Sequence, residues 1–270
     1  KIIKKWYDAG NLNIFEKEIN KNLEYNVLTK LDESITFLDN KVIKFFHSVT
    51  KNKKRVERYK FLEKISPRIL DSSDNFYSME KIDSKPISEL YIDNLIYKLL
   101  IWANEKLWIR YKTPENFRNT LYKFYYEKTL DRINKCKEKK ILDFTKINNI
   151  NIGSIDDLIS KVNFNDLCDG DAYNFHGDFI LDNILIDNSN NFILIDWRED
   201  FGGDIKNGDI YYDLAKLKHN IFINHNNLQK NLYKLEQVDE NSCIVDIKCN
   251  FFSHPCIIHI VCTIDKRIVS

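Results

Sequence analysis

No stretch of the 270-residue chain reaches the roughly 18 consecutive apolar residues that a membrane-spanning helix needs, and no signal peptide opens it. Charge of one sign is not in excess: 41 Lys and Arg against 40 Asp and Glu leave a formal net charge of +1. So even a balance excludes the broad basic footprint of a nucleic-acid binder. No CxxC pair occurs among the six cysteines, at positions 136, 168, 243, 249, 256 and 262. A chain of this length folds without cross-links, so the irregular spacing reads as free thiols in a reducing, cytoplasmic setting. Cys249, His254, Cys256, His259 and Cys262 accordingly read as a strand-like tail with buried thiols rather than a metal site. Glycine is scarce, with seven in all, and Gly170, Gly177, Gly202, Gly203 and Gly208 share one stretch. Glycine serves where the backbone takes unusual dihedrals or approaches a ligand closely, so that stretch is marked before any motif is read.

What is present is an ordinary soluble composition, 43% hydrophobic and 30% charged. The length suits one domain of two lobes or two small domains. Residues 1–24 read as a connecting segment. Strands are expected at Asn26–Lys30, Ser34–Leu38 and Lys41–Phe46, with a tight turn at Asp39-Asn40. A charged helix over Lys51–Lys64 stops before Pro67, and a strand over Phe76–Ile82 closes a small β-rich part, 25–84. From 85 to 270 the pattern is helical: a run over 88–111, a helix from Pro114 to Lys137, and a short helix at 154–162. The end differs, with strand-like runs at Cys243–Phe252 and Cys256–Val261.

The glycine-rich stretch reads FHGDFILDNILIDNSNNFILIDWREDFGGD from Phe175 to Asp204. A polar loop, His176–Asp182, leads into an apolar strand, Asn183–Ile186; a turn follows, and a second strand, Phe192–Ile195, ends in Asp196. A hairpin brings Asp196 back beside Asn183, with Asp178 facing the same space. Phosphoryl transfer needs such a set. Mg²⁺ takes one or two carboxylates plus phosphate oxygens, which suits Asn183 and Asp196. A further carboxylate, kept off the metal, orients the attacking hydroxyl and accepts its proton, which suits Asp178.

HGDFILDN followed by ILIDW, with Asp196 18 residues after Asp178, resembles the aminoglycoside phosphotransferase and choline kinase families, relatives of protein kinases. The resemblance spans about residues 26–235. It implies an α+β, protein-kinase-like bilobal fold, ATP or GTP with Mg²⁺ as cofactors, and an alcohol group as acceptor. It implies Asp178 as catalytic base, Asn183 and Asp196 as metal ligands, and His176 as a brace of the loop. In GDIYYDLAKL, Gly208–Leu217, Asp213 is expected to open a helix, stabilised by its dipole, and the resemblance implies that it also ties down the catalytic loop. Lys44 in KVIKFF is expected to hold the nucleotide phosphates, with Glu57 on the next helix as its partner and Glu63 as the rival acid. Backbone groups near Glu80–Ile82 are expected to meet the base of the nucleotide, with Met79 behind it. The departure is Leu31-Asp32-Glu33, a connection without glycine where protein kinases cover the phosphates with a glycine-rich loop.

Trp197, Glu199, Asp200 and Asp204 follow the metal Asp and are expected to form the substrate rim. The acids suit a cationic acceptor such as an amino sugar, an aminoglycoside or choline, and they also suit neutral sugar hydroxyls. KKWYDAGN, Lys4–Asn11, resembles the closing segment of sugar-phosphate nucleotidyltransferases. With no initiating Met, this points to the kinase half of a two-enzyme polypeptide in bacterial surface-polysaccharide precursor synthesis. Three readings stay open: a sugar or metabolite kinase, a choline, ethanolamine or aminoglycoside kinase, and a catalytically silent nucleotide-binding module.

Overall fold

The computed structural model describes residues 32–90, 94–138, 144–187, 189–223, 228 and 231–247. The expected connecting segment, the strand at Asn26–Lys30 and most of the cysteine-rich tail lie outside them. The chain divides into two compact units. One takes the described residues of Lys1–Val56 with Pro67–Lys81, and the other those of Glu57–Ser66 with Ile82–Ser270.

The first unit is a four-stranded antiparallel sheet in the order β1-β2-β4-β3. Its members are β1 (Glu33–Phe37), β2 (Lys41–Phe46), β3 (Ile69–Ser72) and β4 (Phe76–Glu80). Asp39 and Asn40 make the turn between β1 and β2, closed by Leu38 N–H donating to the Lys41 carbonyl at 2.9 Å. Helix α1 (Val49–Arg58) follows β2. Its Val56 joins Val42 and Ile69 around the buried trio Phe46, Tyr77 and Met79. Alternation along β2 turns Lys44 and Phe46 inward, so Lys44 is buried in the middle of the sheet, in register with Ile35 and Tyr77. The helix ends earlier than Lys64: a 3-10 turn, Tyr59–Phe61, tightens its C-terminal end.

The second unit is mainly helical. Helix α2 (Leu95–Lys106) is shorter than the expected 88–111, because a 3-10 turn at Ile87–Glu89 precedes it and Leu107 and Trp108 leave it as buried, non-helical residues. The run after Pro114 is α3 (Phe117–Tyr122), a π turn (Lys123–Glu127) and α4 (Lys128–Glu138). Strands β5 (Lys146–Ile147) and β6 (Ile150–Asn151) precede α5 (Ile155–Ser160) and α6 (Phe164–Leu167). Ser154 and Asp157 cap α5 reciprocally. A hairpin of β7 (Ile184–Ile186) and β8 (Phe192–Leu194) leads to α7 (Ile210–Phe222). Strands β9 (Tyr233–Asp239) and β10 (Ser242–Ile247) pair antiparallel, and β10 pairs parallel with β5. One core cluster, Phe117, Leu121, Phe124, Cys168, Ala172, Phe175 and Phe201, packs under the loop that carries the motif. No helix among the described residues is long and apolar enough to cross a membrane.

Candidate active site

The loop from Tyr173 to Asn183 is pinned from both sides. Tyr173 and Gly208 exchange backbone hydrogen bonds at 2.9 Å each way, and Asn174 N–H donates to the Ile109 carbonyl at 2.9 Å. Asp213 then ties the turn itself. Its carboxylate accepts from His176 N–H and Gly177 N–H, both at 2.7 Å, and from the Trp108 indole at 3.1 Å. Burial pushes the Asp213 carboxyl up to about 6, against the hydrogen bonds and the Arg58 charge, which favour the ion. The helix itself opens one turn earlier than expected. Asp209 is the cap, accepting from Tyr211 N–H at 3.1 Å, which frees the Asp213 side chain for the loop.

The three letters of His-Gly-Asp each have a local reason. The Nδ1 of His176 accepts from Asp178 N–H at 3.2 Å, so Nε2 carries the proton and donates to the Ile195 carbonyl at 2.9 Å. The ring thus joins the backbone of Asp178 to the residue before Asp196. A neutral imidazole suits this, and burial lowers the His176 pKa to about 4. Gly177 sits at φ +83°, and a Cβ there would meet Arg198 Cβ at 2.5 Å, so no other residue fits. Asp178 closes the set. Its Oδ2 accepts from Asn183 Nδ2 at 3.1 Å, and its Oδ1 pairs with Lys216 Nζ at 2.7 Å.

Asn183 ends a 3-10 turn, Leu181–Asn183, and β7 begins at the next residue, one later than expected. Its amide nitrogen also donates to the Asp178 carbonyl at 3.0 Å. Both contacts use the nitrogen, which leaves Oδ1 as the atom for a cation. Ile195 N–H donates to the Asn183 carbonyl at 2.9 Å, so the hairpin delivers Asp196 beside Asn183. Asp196 adopts φ +59°, a left-handed conformation that costs an L-residue roughly 1–2 kcal/mol. Such strain is held where the surroundings fix a side chain for a purpose. An amide oxygen and one carboxylate form the hard oxygen set that Mg²⁺ takes from protein. The residues present therefore fit the ion.

Other expected residues have different surroundings. Trp197, placed on the substrate rim by its position after Asp196, is fully buried, its ring centroid 5.9 Å from that of Tyr59. It anchors the segment from within and does not line a rim. Asp204 accepts from Lys206 N–H, Asn207 N–H and Asn207 Nδ2 at 2.8, 2.9 and 2.8 Å, so its carboxylate shapes its own turn. Asp200 accepts from Gly203 N–H at 3.3 Å, and Glu199 is half-buried. Glu57 is exposed on α1 in an ion pair with Lys60 at 3.6 Å. Glu80 pairs with Arg68 at 2.7 Å, Ile82 accepts from Ser84 N–H at 3.0 Å, and Met79 is buried.

Three contacts of the loop had no sequence signal. Lys216 pairs with Asp178, and Trp108 shares Asp213. Arg58, fully buried, donates to the carbonyls of Phe175 and Ile205 and lies 3.4 Å from the Phe175 ring centroid. Desolvation lowers its pKa to about 9. Each joins residues far apart in the chain.

Residues 124–231 match the model of the phosphotransferase enzyme family, APH. That segment, well under half of the chain, is what resembles the family. It contains the whole motif from His176 to Asp213. No curated protein sequence matches the chain significantly. Among solved structures, the aminoglycoside phosphotransferase APH(2")-IIa, in a complex with streptomycin and ATP, is 21% identical with a TM-score of 0.44, over 78% of this chain and 75% of that one. Choline kinase LicA from Streptococcus pneumoniae is 15% identical with a TM-score of 0.37, over 82% and 78%. A choline kinase from Cryptosporidium parvum is 14% identical with a TM-score of 0.43, over 94% and 78%. The described residues themselves show an α+β arrangement, a sheet-rich unit and a mainly helical one.

Proposed function

We propose that this protein is a small-molecule kinase that moves the γ-phosphate of ATP to a hydroxyl of a sugar or related metabolite. The observation that carries the reading is the Asp178–Asn183 contact, with Asp196 returned beside Asn183 and the loop fixed by Asp213. Asn183 Oδ1 and Asp196 would hold Mg²⁺, which supplies charge neutralisation at the phosphates. Asp178 accepts the proton of the acceptor hydroxyl as its oxygen bonds to the γ-phosphorus, and the bridging oxygen leaves with ADP. Lys216 and Asn183 each engage one Asp178 oxygen and so set the orientation of the carboxylate. Lys44, buried on β2, is the proposed partner of the nucleotide phosphates, and Glu80–Ile82 that of the base. A role in surface-polysaccharide precursor synthesis, beside a fused nucleotidyltransferase and in the cytoplasm, rests on the Lys4–Asn11 likeness, which lies outside the described residues.

The test is Mg²⁺-dependent nucleotide consumption with sugars, amino sugars, sugar acids and phosphates, choline, ethanolamine and aminoglycosides. Turnover with one class, absent in Asp178→Ala, supports the kinase and names the acceptor. The glycine-free Leu31-Asp32-Glu33 connection favours a second reading, a silent nucleotide-binding module. Saturable nucleotide binding without turnover on any class supports that one. Asp196→Ala is expected to weaken Mg²⁺-dependent nucleotide binding at least roughly tenfold, about 1.4 kcal/mol, in addition to abolishing turnover. Titration calorimetry with and without Mg²⁺ checks this, and unchanged Mg²⁺ dependence would remove Asp196 from the metal site.

A further inference from the structure

The residue after Trp197 carries an observation that the kinase reading does not use. Arg198 extends from the segment that closes over Gly177, and its guanidinium carbon lies 5.2 Å from the centroid of the Phe124 ring. Lys128 Nζ lies 4.1 Å from the same centroid. Phe201 stacks on Phe124 at 3.9 Å with ring planes 18° apart, which occupies one face of the ring. Both cations lie over this one ring. Their heads lie closer than roughly 10 Å, the Debye length at 0.1 M salt, so each feels the other.

Neither cation has a carboxylate within ion-pair distance among the described residues. Arg198 Nε is buried and makes no hydrogen bond. A buried guanidinium N–H without an acceptor is costly, and the guanidinium fork matches an oxyanion. Glu199 and Asp200 stand near enough to favour the Lys128 charge, yet burial, Arg198 and Arg132 outweigh them and lower its pKa to about 7. Two further cations thus stand near Lys128 although the sequence of this rim is acidic. The backbone of Arg198 donates to the His176 carbonyl at 2.9 Å, which ties this cation pair to the catalytic loop.

We propose that Lys128 and Arg198, over the Phe124 ring, form an oxyanion subsite for the acceptor, so that the hydroxyl compound phosphorylated here carries a carboxylate or phosphate group. This rests on the kinase reading of the same site and narrows it from a neutral or cationic acceptor to an anionic one.

Two measurements on the full chain test it. The first needs no turnover: inorganic phosphate and acetate are titrated into the protein without nucleotide. Saturable binding of either is expected, weakened at least roughly tenfold, about 1.4 kcal/mol, in Arg198→Gln and in Lys128→Gln. Retained Mg²⁺-nucleotide binding by both variants shows that they are folded. Failure of both anions to bind, or equal binding by the variants, overturns the subsite even if the enzyme proves active. The second compares kcat/KM for a hexose, its uronic acid and its phosphate ester. The anionic members are expected to lead by roughly tenfold or more, with the lead lost in both variants. Whether the acid or the ester leads identifies the source of the oxyanion. Preference for the neutral hexose, choline or an aminoglycoside overturns the proposal, as does a change confined to the KM of the nucleotide.

Discussion

Asp178→Asn is expected to lower kcat by roughly 10²- to 10⁴-fold, the range set by losing a positioned general base, with Mg²⁺-nucleotide affinity little changed. The amide keeps the shape of the side chain but takes no proton. The oxygen facing Asn183 Nδ2 can still accept that 3.1 Å hydrogen bond, so Asn183 keeps its orientation. What is lost besides the base is the ion pair with Lys216 at 2.7 Å. That loss is measured alone in Lys216→Met, where the carboxylate remains but one of its two restraints is gone. A drop of roughly tenfold in kcat is expected there, the scale of one orienting contact on a partly exposed pair. Steady-state kinetics and calorimetric nucleotide binding on both variants separate the roles. If Asp178→Asn turned over within threefold of the parent, roughly 0.6 kcal/mol, Asp178 would not be the base.

The order of these two effects shows what was legible in the chain. Asp178, Asn183 and Asp196 are close in sequence, and the hairpin between them is written in an alternation of apolar runs and Asn-rich turn, so their meeting could be read. Lys216, Trp108 and Arg58 could not, because nothing in spacing announces a contact between residues 38, 105 or more than a hundred apart. Strand β2 emerged with its bounds intact because apolar residues flank Lys44 on both sides. Strand β3 was missed: only its first residue, Ile69, is partly buried, so the period-2 pattern never forms. Strand β9 is exposed at all seven positions and carries no such signal either. Trp197 was misplaced for a related reason. A position following a functional residue says nothing of which way the side chain turns, and the bulk of a Trp favours the core. In WREDFGGD, Asp204 is taken up by its own turn, which its place in the sequence does not announce.

Asp213→Asn is the second change with a large expected effect, and pH separates its two consequences. The carboxylate takes three donors, from His176, Gly177 and Trp108. An amide has one oxygen and turns its NH₂ toward a donor, so at least one buried N–H loses its acceptor at about 1–3 kcal/mol. The loop that carries Asp178 slackens, and kcat is expected to fall roughly 10- to 100-fold. Stability behaves differently. The native pKa of Asp213, about 6, lies above its unfolded value of 3.8, so between these the native state holds a proton that the unfolded chain has released. The Asp213 contribution to stability is therefore fully present below pH 4 and is lost as pH rises through 6. A shift of this size corresponds to about 3 kcal/mol as an order of magnitude. His176 runs the other way. Its native pKa of about 4 lies below the 6.5 of the free imidazole, so its contribution grows as pH rises from 4 to 6.5. In the parent the two slopes oppose each other; in Asp213→Asn that of His176 stands alone. Urea unfolding between pH 4 and 6.5 is expected to show a steeper rise of stability with pH in the variant than in the parent. Parallel curves would mean that Asp213 titrates at its ordinary value, its hydrogen bonds from His176 and Gly177 fully offsetting the burial that raises it.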